Sequence, residues 1–278
     1  MTHPATVEEL PGAPHLRRFP VRTPTLPPAT HTNAWLVGRG EIAVIDPASP
    51  YDEERAALDR ALDALGERVV EIVLTHHHLD HVSGAAHLAA RLGVPIAAHP
   101  ATAALLAGRL AVGRAIDDGA TLRYGGATLT ALHTPGHAPG HLVFLDEESR
   151  ALVAGDMVAS VGTIIVDPPE GDMRLYLDSL SRMRSLAARW LLPAHGPPID
   201  DPDRLLSFYL AHRLEREARV LAALQQIGPA SVEKLVPLAY PDVAPPVWPL
   251  ASRSLLAHLL KLRDESRAVE EAGQWSAR

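Results

Sequence analysis

The chain has 278 residues, 47% of them apolar and 21% charged, so it can bury a substantial core and disorder of the whole chain is excluded. It contains no cysteine, which excludes disulfides, thiolate metal ligands and a cysteine nucleophile. The net charge is −7, and residues 200–278 carry ten Arg/Lys against eleven Asp/Glu, so neither part has the basic excess of a general nucleic-acid binder.

The opening "MTHPATVEELPGAPH" has no basic segment followed by an apolar run, and no apolar stretch is long enough to span a bilayer. The expectation is a cytoplasmic protein with no membrane partner. Residues 1–30 are rich in proline and predict an extended lead-in with few internal hydrogen bonds. "NAWLVG" (33–38) and "EIAVID" (41–46), divided by Arg39-Gly40, predict strand, tight turn and strand. The helical spacing of apolar residues in "YDEERAALDRALDALG" predicts a helix stopped by Gly66. "EIVLTH" reads as a strand, followed by a helix over "SGAAHLAARLG" with Ser83 as N-cap and Gly93 as terminator.

"VPIAAH" then predicts a strand and "PATAALLAG" a helix. Three further strands are expected at 127–133, 141–146 and 151–156, a helix over "MRLYLDSLSRMRSLAA", and a strand at "WLLPAH". Strands that occur both as hairpins and in alternation with helices predict an α/β fold with mixed sheets and helices outside. The tail predicts a long helix from Asp201-Pro202 to Gly228, a short helix over "SVEKLVPLAY", a third over "LASRSLLAHLLKLRDES" and a two-stranded wing. The expected domains are a lead-in (1–30), a catalytic domain (31–200) and a long helix with a small helical winged-helix-like domain (201–278). The apolar long helix is compatible with a homodimer.

The chemistry is concentrated in "LTHHHLDHVSG", residues 74–84. Residues two apart in an extended segment point the same way, so His76 and His78 can share one ion. Asp80 and His81 follow the turn into the next helix and can face a second. A solvated histidine-rich loop is the plain alternative, but sites are usually built on loops at the end of a rigid strand. Three later residues also stand at or between strand ends: His137 in "HTPGHAPGH", Asp156 in "VAGDM" and His195 in "LLPAHGP". Imidazole and carboxylate donors suit zinc, and also manganese or iron.

The ordered set "THHHLDH", "HTPGH", "GD" and "PAHGP" closely resembles the ligand pattern of the metallo-β-lactamase superfamily. That resemblance implies an αββα sandwich with two metals, two Zn(2+) per chain, at one edge. It places His76, His78 and His137 on the first metal and Asp80, His81 and His195 on the second, with Asp156 bridging. It also implies metal-assisted hydrolysis by a bridging hydroxide, with Asp80 orienting the nucleophile. Asp46 in "VIDPAS" matches a structural aspartate supporting the metal loop. His99, His133 and His141 are outer-sphere candidates.

The tail resembles that of the beta-lactamase-like protein 2 family, whose members include an endoribonuclease on single-stranded RNA and relatives that release polyketides from carrier-protein thioesters. The expected substrate is therefore an ester, thioester or lactone, either a small molecule or an acyl thioester. A phosphodiester or RNA is the alternative that the acidic charge disfavours, and a mononuclear-iron persulfide dioxygenase is the second alternative. Tyr209, His212 and Arg213 share one helix face and are read as packing. "SVEK" at 231–234 fits a serine β-lactamase motif without its companions, so Ser231 is read as an N-cap.

Overall fold

The computed structural model describes residues 6–278 and divides into two compact units. The first holds the chain to Thr134, Gly140–Thr163 and Ala187–Pro202; the second holds Pro135–Pro139, Ile164–Leu186 and Asp203–Arg278. The units are thus interleaved along the chain, where the sequence suggests a single cut near residue 200.

The first unit contains a seven-stranded sheet in chain order: β1 (Glu8–Leu10), β2 (Ala13–Arg22), β3 (His31–Arg39), β4 (Glu41–Ile45), β5 (Arg68–Val73), β6 (Ile96–Ala98) and β7 (Arg114–Ala115). β1 to β4 pair antiparallel, and β4 to β7 pair parallel. The parallel connections carry α1 (Asp52–Leu65), α2 (Leu79–Val82), α3 (Ala85–Leu92) and α4 (Pro100–Leu106). A second sheet has the order β12-β11-β10-β9-β8, from β8 (Thr121–Tyr124), β9 (Ala127–His133), β10 (Leu142–Asp146), β11 (Ala151–Gly155) and β12 (Trp190–Pro193).

Alternation along the strands builds two cores. Leu16, Trp35, Val37, Ile45 and Val73 meet Leu129, Phe144, Val153 and Leu192 of the second sheet. The other face of the first sheet, with Phe19, Leu36, Val44 and Ile72, is covered by Leu58, Leu62 and Leu88 of the helices. These are the expected mixed sheets with helices outside, and helices α1 and α3 end at Gly66 and Gly93 as the sequence predicts.

Two local expectations are corrected. Residues 8–22 are not a lead-in outside the sheet: β2 pairs with β3 from Leu16↔Val37 to Arg22↔His31. Pro20 is tolerated because β1 pairs only as far as Arg18, so its missing N–H faces no strand on that side. Residues 1–5 of the lead-in lie outside the described residues. Ser83 is not the N-cap of α3; its hydroxyl donates back to the Leu79 carbonyl, and Gly84 precedes the helix. No side chain fits at Gly84, where a Cβ would stand 1.7 Å from the Pro47 carbonyl oxygen. The strands β7 and β8 were not expected from the sequence.

The second unit contains α5 (Met173–Ser185), capped by Asp172, whose carboxylate accepts from the Leu175 N–H at 2.9 Å. Then follow α6 (Pro202–Ile227), α7 (Val232–Ala239), α8 (Trp248–Asp264) and the hairpin β13 (Ala268–Glu271) with β14 (Gln274–Ala277). Val220, Leu224, Leu235, Leu255, Leu259 and Trp275 form its core. Ser231 holds the N-cap position of α7. Arg213 is buried, donating to the Ile164 carbonyl at 2.5 Å with its guanidinium 5.3 Å over the Tyr176 ring, which is a packing role within this unit. No helix among the described residues is long and apolar enough to cross a membrane.

Glu217 is a buried carboxylate in this unit, 2.7 Å from Lys261 and 3.1 Å from Arg267. Burial alone would raise its pKa, but His258 and Lys261 outweigh that and hold it at about 2, against 4.5 for a free glutamate. Its stabilisation is therefore present above pH 4.5 and lost as pH falls through 2. After allowance for solvent screening, it contributes about 2 kcal/mol at neutral pH. Glu217→Gln is expected to lower the urea midpoint at pH 7 and to flatten the acid limb between pH 4.5 and 2. An unchanged acid limb would refute this account.

Candidate metal centre

Each proposed ligand of the first unit stands just past a strand. His76 and His78 follow β5, Asp80 and His81 lie on α2, Asp156 follows β11 and His195 follows β12. The donor atoms of His76, His81 and Asp156 lie within 4.8 Å of one another, as do those of Asp80, His81 and His195. The His81 Nε2 is 3.5 Å from the Asp156 carboxylate, and the His195 Nε2 is 3.3 Å from it and 3.6 Å from Asp80.

Hydrogen bonds determine which nitrogen each imidazole presents. The Thr75 hydroxyl donates to Asp46 at 2.6 Å and so accepts from His76 Nδ1 at 2.9 Å, which makes Nε2 the nitrogen with the lone pair. His81 Nδ1 donates to Asp46 at 2.8 Å, and His195 Nδ1 donates to the His31 carbonyl at 2.9 Å. In each case the far nitrogen faces the cluster. His78 turns its Nδ1 to within 3.0 Å of His76 Nε2.

This arrangement fits a cation. Two imidazole nitrogens 3.0 Å apart need a proton or a metal between them. The His81 Nε2 is buried without a hydrogen-bond partner, a costly state unless an ion takes its lone pair. Without a metal the cluster relies on protons instead. Burial acts to lower the pKa of His81, but Asp156, Asp46 and Asp80 together hold it well above its usual value. His195 is raised for the same reason, chiefly by Asp156 against burial. Burial pushes Asp156 up, but His195 and His81 hold it well below the carboxylate range. A nitrogen and oxygen donor set without thiolate suits zinc, manganese or iron.

Of the supports, Asp46 and His141 are candidates that the sequence offers. Asp46 sits at φ 51° and accepts from the Thr75 N–H at 2.8 Å as well as from Thr75 Oγ1 and His81. His141 accepts the Asp156 N–H on Nε2 at 3.1 Å and contacts the Thr134 hydroxyl at 3.0 Å through Nδ1. His99 caps α4 and stacks on His133 at 4.1 Å, and neither belongs to a donor group. Burial, with a smaller contribution from His133, lowers the pKa of His99. His77 is buried edge-on to His78. His137 belongs to the second unit, where its Nδ1 donates to the Ile165 carbonyl at 2.8 Å. Apart from Asp46 and His141, the supporting groups are the Thr75 and Thr134 hydroxyls and the His31 and Ile165 backbone carbonyls, which carry no spacing signal.

Gly196 holds the His195 loop in place. At φ 92° a Cβ would lie 2.4 Å from Ser160 Oγ and 2.9 Å from Val161, the segment that bonds the His195 carbonyl. Gly196→Ala is expected to displace His195 and weaken metal binding by roughly 10- to 100-fold, the effect of disturbing a ligand's support. Competition with a chelating dye measures this, and unchanged affinity would refute it.

Residues 27–195 match the metallo-beta-lactamase superfamily. The chain belongs to that superfamily. Residues 231–275 match the beta-lactamase associated winged helix domain, which covers α7, α8 and most of the hairpin. The chain is 35% identical over 198 residues to the lactamase-like protein adaB of Aspergillus niger, covering 70% of this chain and 59% of that protein. It is 32% identical over 197 residues to the atrochrysone carboxyl ACP thioesterase AacuM of Aspergillus aculeatus, covering 70% and 60%. A beta-lactamase-like protein 2 homolog of Caenorhabditis elegans is 30% identical over 201 residues, covering 70% and 66%. The chain thus spans less than two thirds of the length of these superfamily relatives. The crystal structure of a metallo-beta-lactamase family protein from Thermus thermophilus superposes with a TM-score of 0.78 at 28% identity, covering 95% of this chain and 99% of that one.

Proposed function

We propose that the chain is a dinuclear metal-dependent hydrolase of esters, thioesters or lactones, with acyl thioesters the leading class. The observations that carry this reading are the donor group of Asp80, His81 and His195 and, apart from it, the pair His76 and His78, whose ring nitrogens stand 3.0 Å apart. His76, His78 and His137 would hold one metal and Asp80, His81 and His195 the other, with Asp156 between them. Two bound cations would polarise the scissile carbonyl and make a bound water acidic at neutral pH.

The side chains supply the rest. Asp46 and the His31 carbonyl keep His81 and His195 in the tautomer that presents Nε2. Asp80 is the carboxylate of its group that solvent reaches, with 18% of its side chain exposed. It would accept the proton of the attacking water and orient that water toward the acyl carbon. Relatives named as ACP thioesterases favour a thioester, since the leaving thiolate departs without needing a strong acid. A chain with one metal would fit the mononuclear-iron dioxygenase alternative, but the second group of Asp80, His81 and His195 argues against it.

Metal analysis followed by a panel of thioester, lactone, β-lactam, phosphodiester and RNA tests the proposal. Two metals per chain and thioester turnover abolished by a chelator are expected. One iron with oxygen uptake, or cleavage of RNA alone, would overturn it.

A further inference from the structure

Residues 23–30 join β2 to β3 and read "TPTLPPAT". The base of this loop is closed twice. The Thr23 N–H donates to the Thr30 carbonyl at 3.1 Å, and the Thr23 and Thr32 hydroxyls stand 2.8 Å apart. Between these ties Pro24, Pro27 and Pro28 fix the backbone angle φ at their own positions. Thr25, half-buried, turns its hydroxyl to the metal centre: Oγ1 lies 3.4 Å from the His195 Nε2. This is the nitrogen that faces the cluster, since Nδ1 on the far side of the ring donates to the His31 carbonyl. Thr25, His195, Asp80 and Asp156 all belong to the first unit.

Three side chains therefore approach the same nitrogen: Asp156 at 3.3 Å, Thr25 at 3.4 Å and Asp80 at 3.6 Å. Ionised carboxylates accept hydrogen bonds only, whereas a hydroxyl can donate one. Thr25 thus brings a donor to a group otherwise made of acceptors. Threonine hydroxyls in loops ordinarily bond a nearby backbone group. Among the described residues Thr25 Oγ1 makes no such bond, and its contact with Nε2 is longer than the roughly 2.7–3.2 Å usual between nitrogen and oxygen. The hydroxyl is therefore weakly held by the protein. With a cation on Nε2 the lone pair is taken, and the hydrogen of Thr25 is left for an oxygen that arrives beside that cation.

We infer that Thr25 is a further catalytic residue, whose hydroxyl donates to the acyl oxygen of the substrate as negative charge develops there. This inference rests on the hydrolase reading above. A donor on a loop tied at its base and stiffened by proline reorganises little during the reaction, the condition under which such a bond favours the transition state most.

The experiment uses the metal-loaded full chain and two variants: Thr25→Val, which keeps the shape and removes the hydroxyl, and Thr25→Ser, which keeps the hydroxyl. Thioester turnover is measured beside calorimetric binding of methylphosphonate, a tetrahedral anion that needs no turnover to report on the donor. Thr25→Val is expected to lower kcat about 100-fold, the loss of one such donor, while KM and metal content stay within about twofold. It should also weaken methylphosphonate binding about tenfold. Thr25→Ser should restore most of both. Equal kcat and equal methylphosphonate binding in wild type and Thr25→Val would overturn the inference. So would equal losses in the two variants, or metal lost with the hydroxyl, since either assigns Thr25 to the support of His195. A protein that hydrolyses no thioester, yet loses methylphosphonate affinity in Thr25→Val and regains it in Thr25→Ser, would uphold the donor and reject the reaction.

Discussion

Asp156→Ala is expected to reduce turnover by about a thousandfold or more and to leave the protein short of metal. The carboxylate lies 3.3 Å from the His195 Nε2 and 3.5 Å from the His81 Nε2, and it belongs to a donor group with His76 and His81. Its loss would remove the carboxylate proposed to bridge the two metals. Several kcal/mol of transition-state charge stabilisation depends on metals held in place, and each 1.4 kcal/mol is a factor of about ten. The metal-free protein provides a second readout with a definite sign. Because Asp156 helps to raise the pKa of both His81 and His195, its removal should lower both, so that the imidazoles lose their protons at lower pH than in wild type. Imidazole NMR titration of the apoprotein measures that shift, and elemental analysis measures the metal. Wild-type turnover at full metal content would refute the bridging role.

Asp46→Ala is expected to cost about 3–5 kcal/mol of stability and to weaken metal binding roughly 10- to 100-fold. The Asp46 carboxylate accepts three bonds, from the Thr75 N–H, the Thr75 hydroxyl and the His81 Nδ1–H. It is 2% exposed, so water cannot replace it. Each buried donor left without an acceptor costs about 1–3 kcal/mol. Asp46 also occupies the left-handed region, where alanine is strained and asparagine is tolerated. Asp46→Asn should therefore lose less, keeping the backbone while weakening the grip on His81. Urea unfolding of the two apoproteins decides the matter: equal losses would refute this account of Asp46.

The donors were legible because their chemistry and their positions coincide. In His76, His78, Asp80 and His81, four metal-binding side chains fall within six residues at the end of an apolar strand, and Asp156 and His195 each end another. The supports were less legible. That the His31 carbonyl orients His195 across 164 residues follows from strand pairing, which spacing does not reveal. The strand β2 was hidden by its prolines and by Arg17, a fully buried residue. Its charge is met by Glu67 at 2.6 Å and by the Gly38 carbonyl at 2.8 Å, partners fifty and twenty-one positions away. A local pattern of "LRRFPVR" reads as polar and broken, although it lies inside the sheet. The short strands β7 and β8 lack the apolar run that marks the others.

The ligands are drawn from both sheets, and this has a consequence for biosynthesis. His76 and His195 are separated by 119 positions, and the last ligand follows β12, the final strand of the second sheet. A chain emerging from the ribosome can expose "HHHLDH" early, but it cannot close the His81, Asp80 and His195 group until β12 has been made and paired. On the proposed ligand set, the complete metal site would therefore form only with the finished fold. The early histidines are in the meantime open to any passing cation, and only the completed edge of the two sheets can select among them.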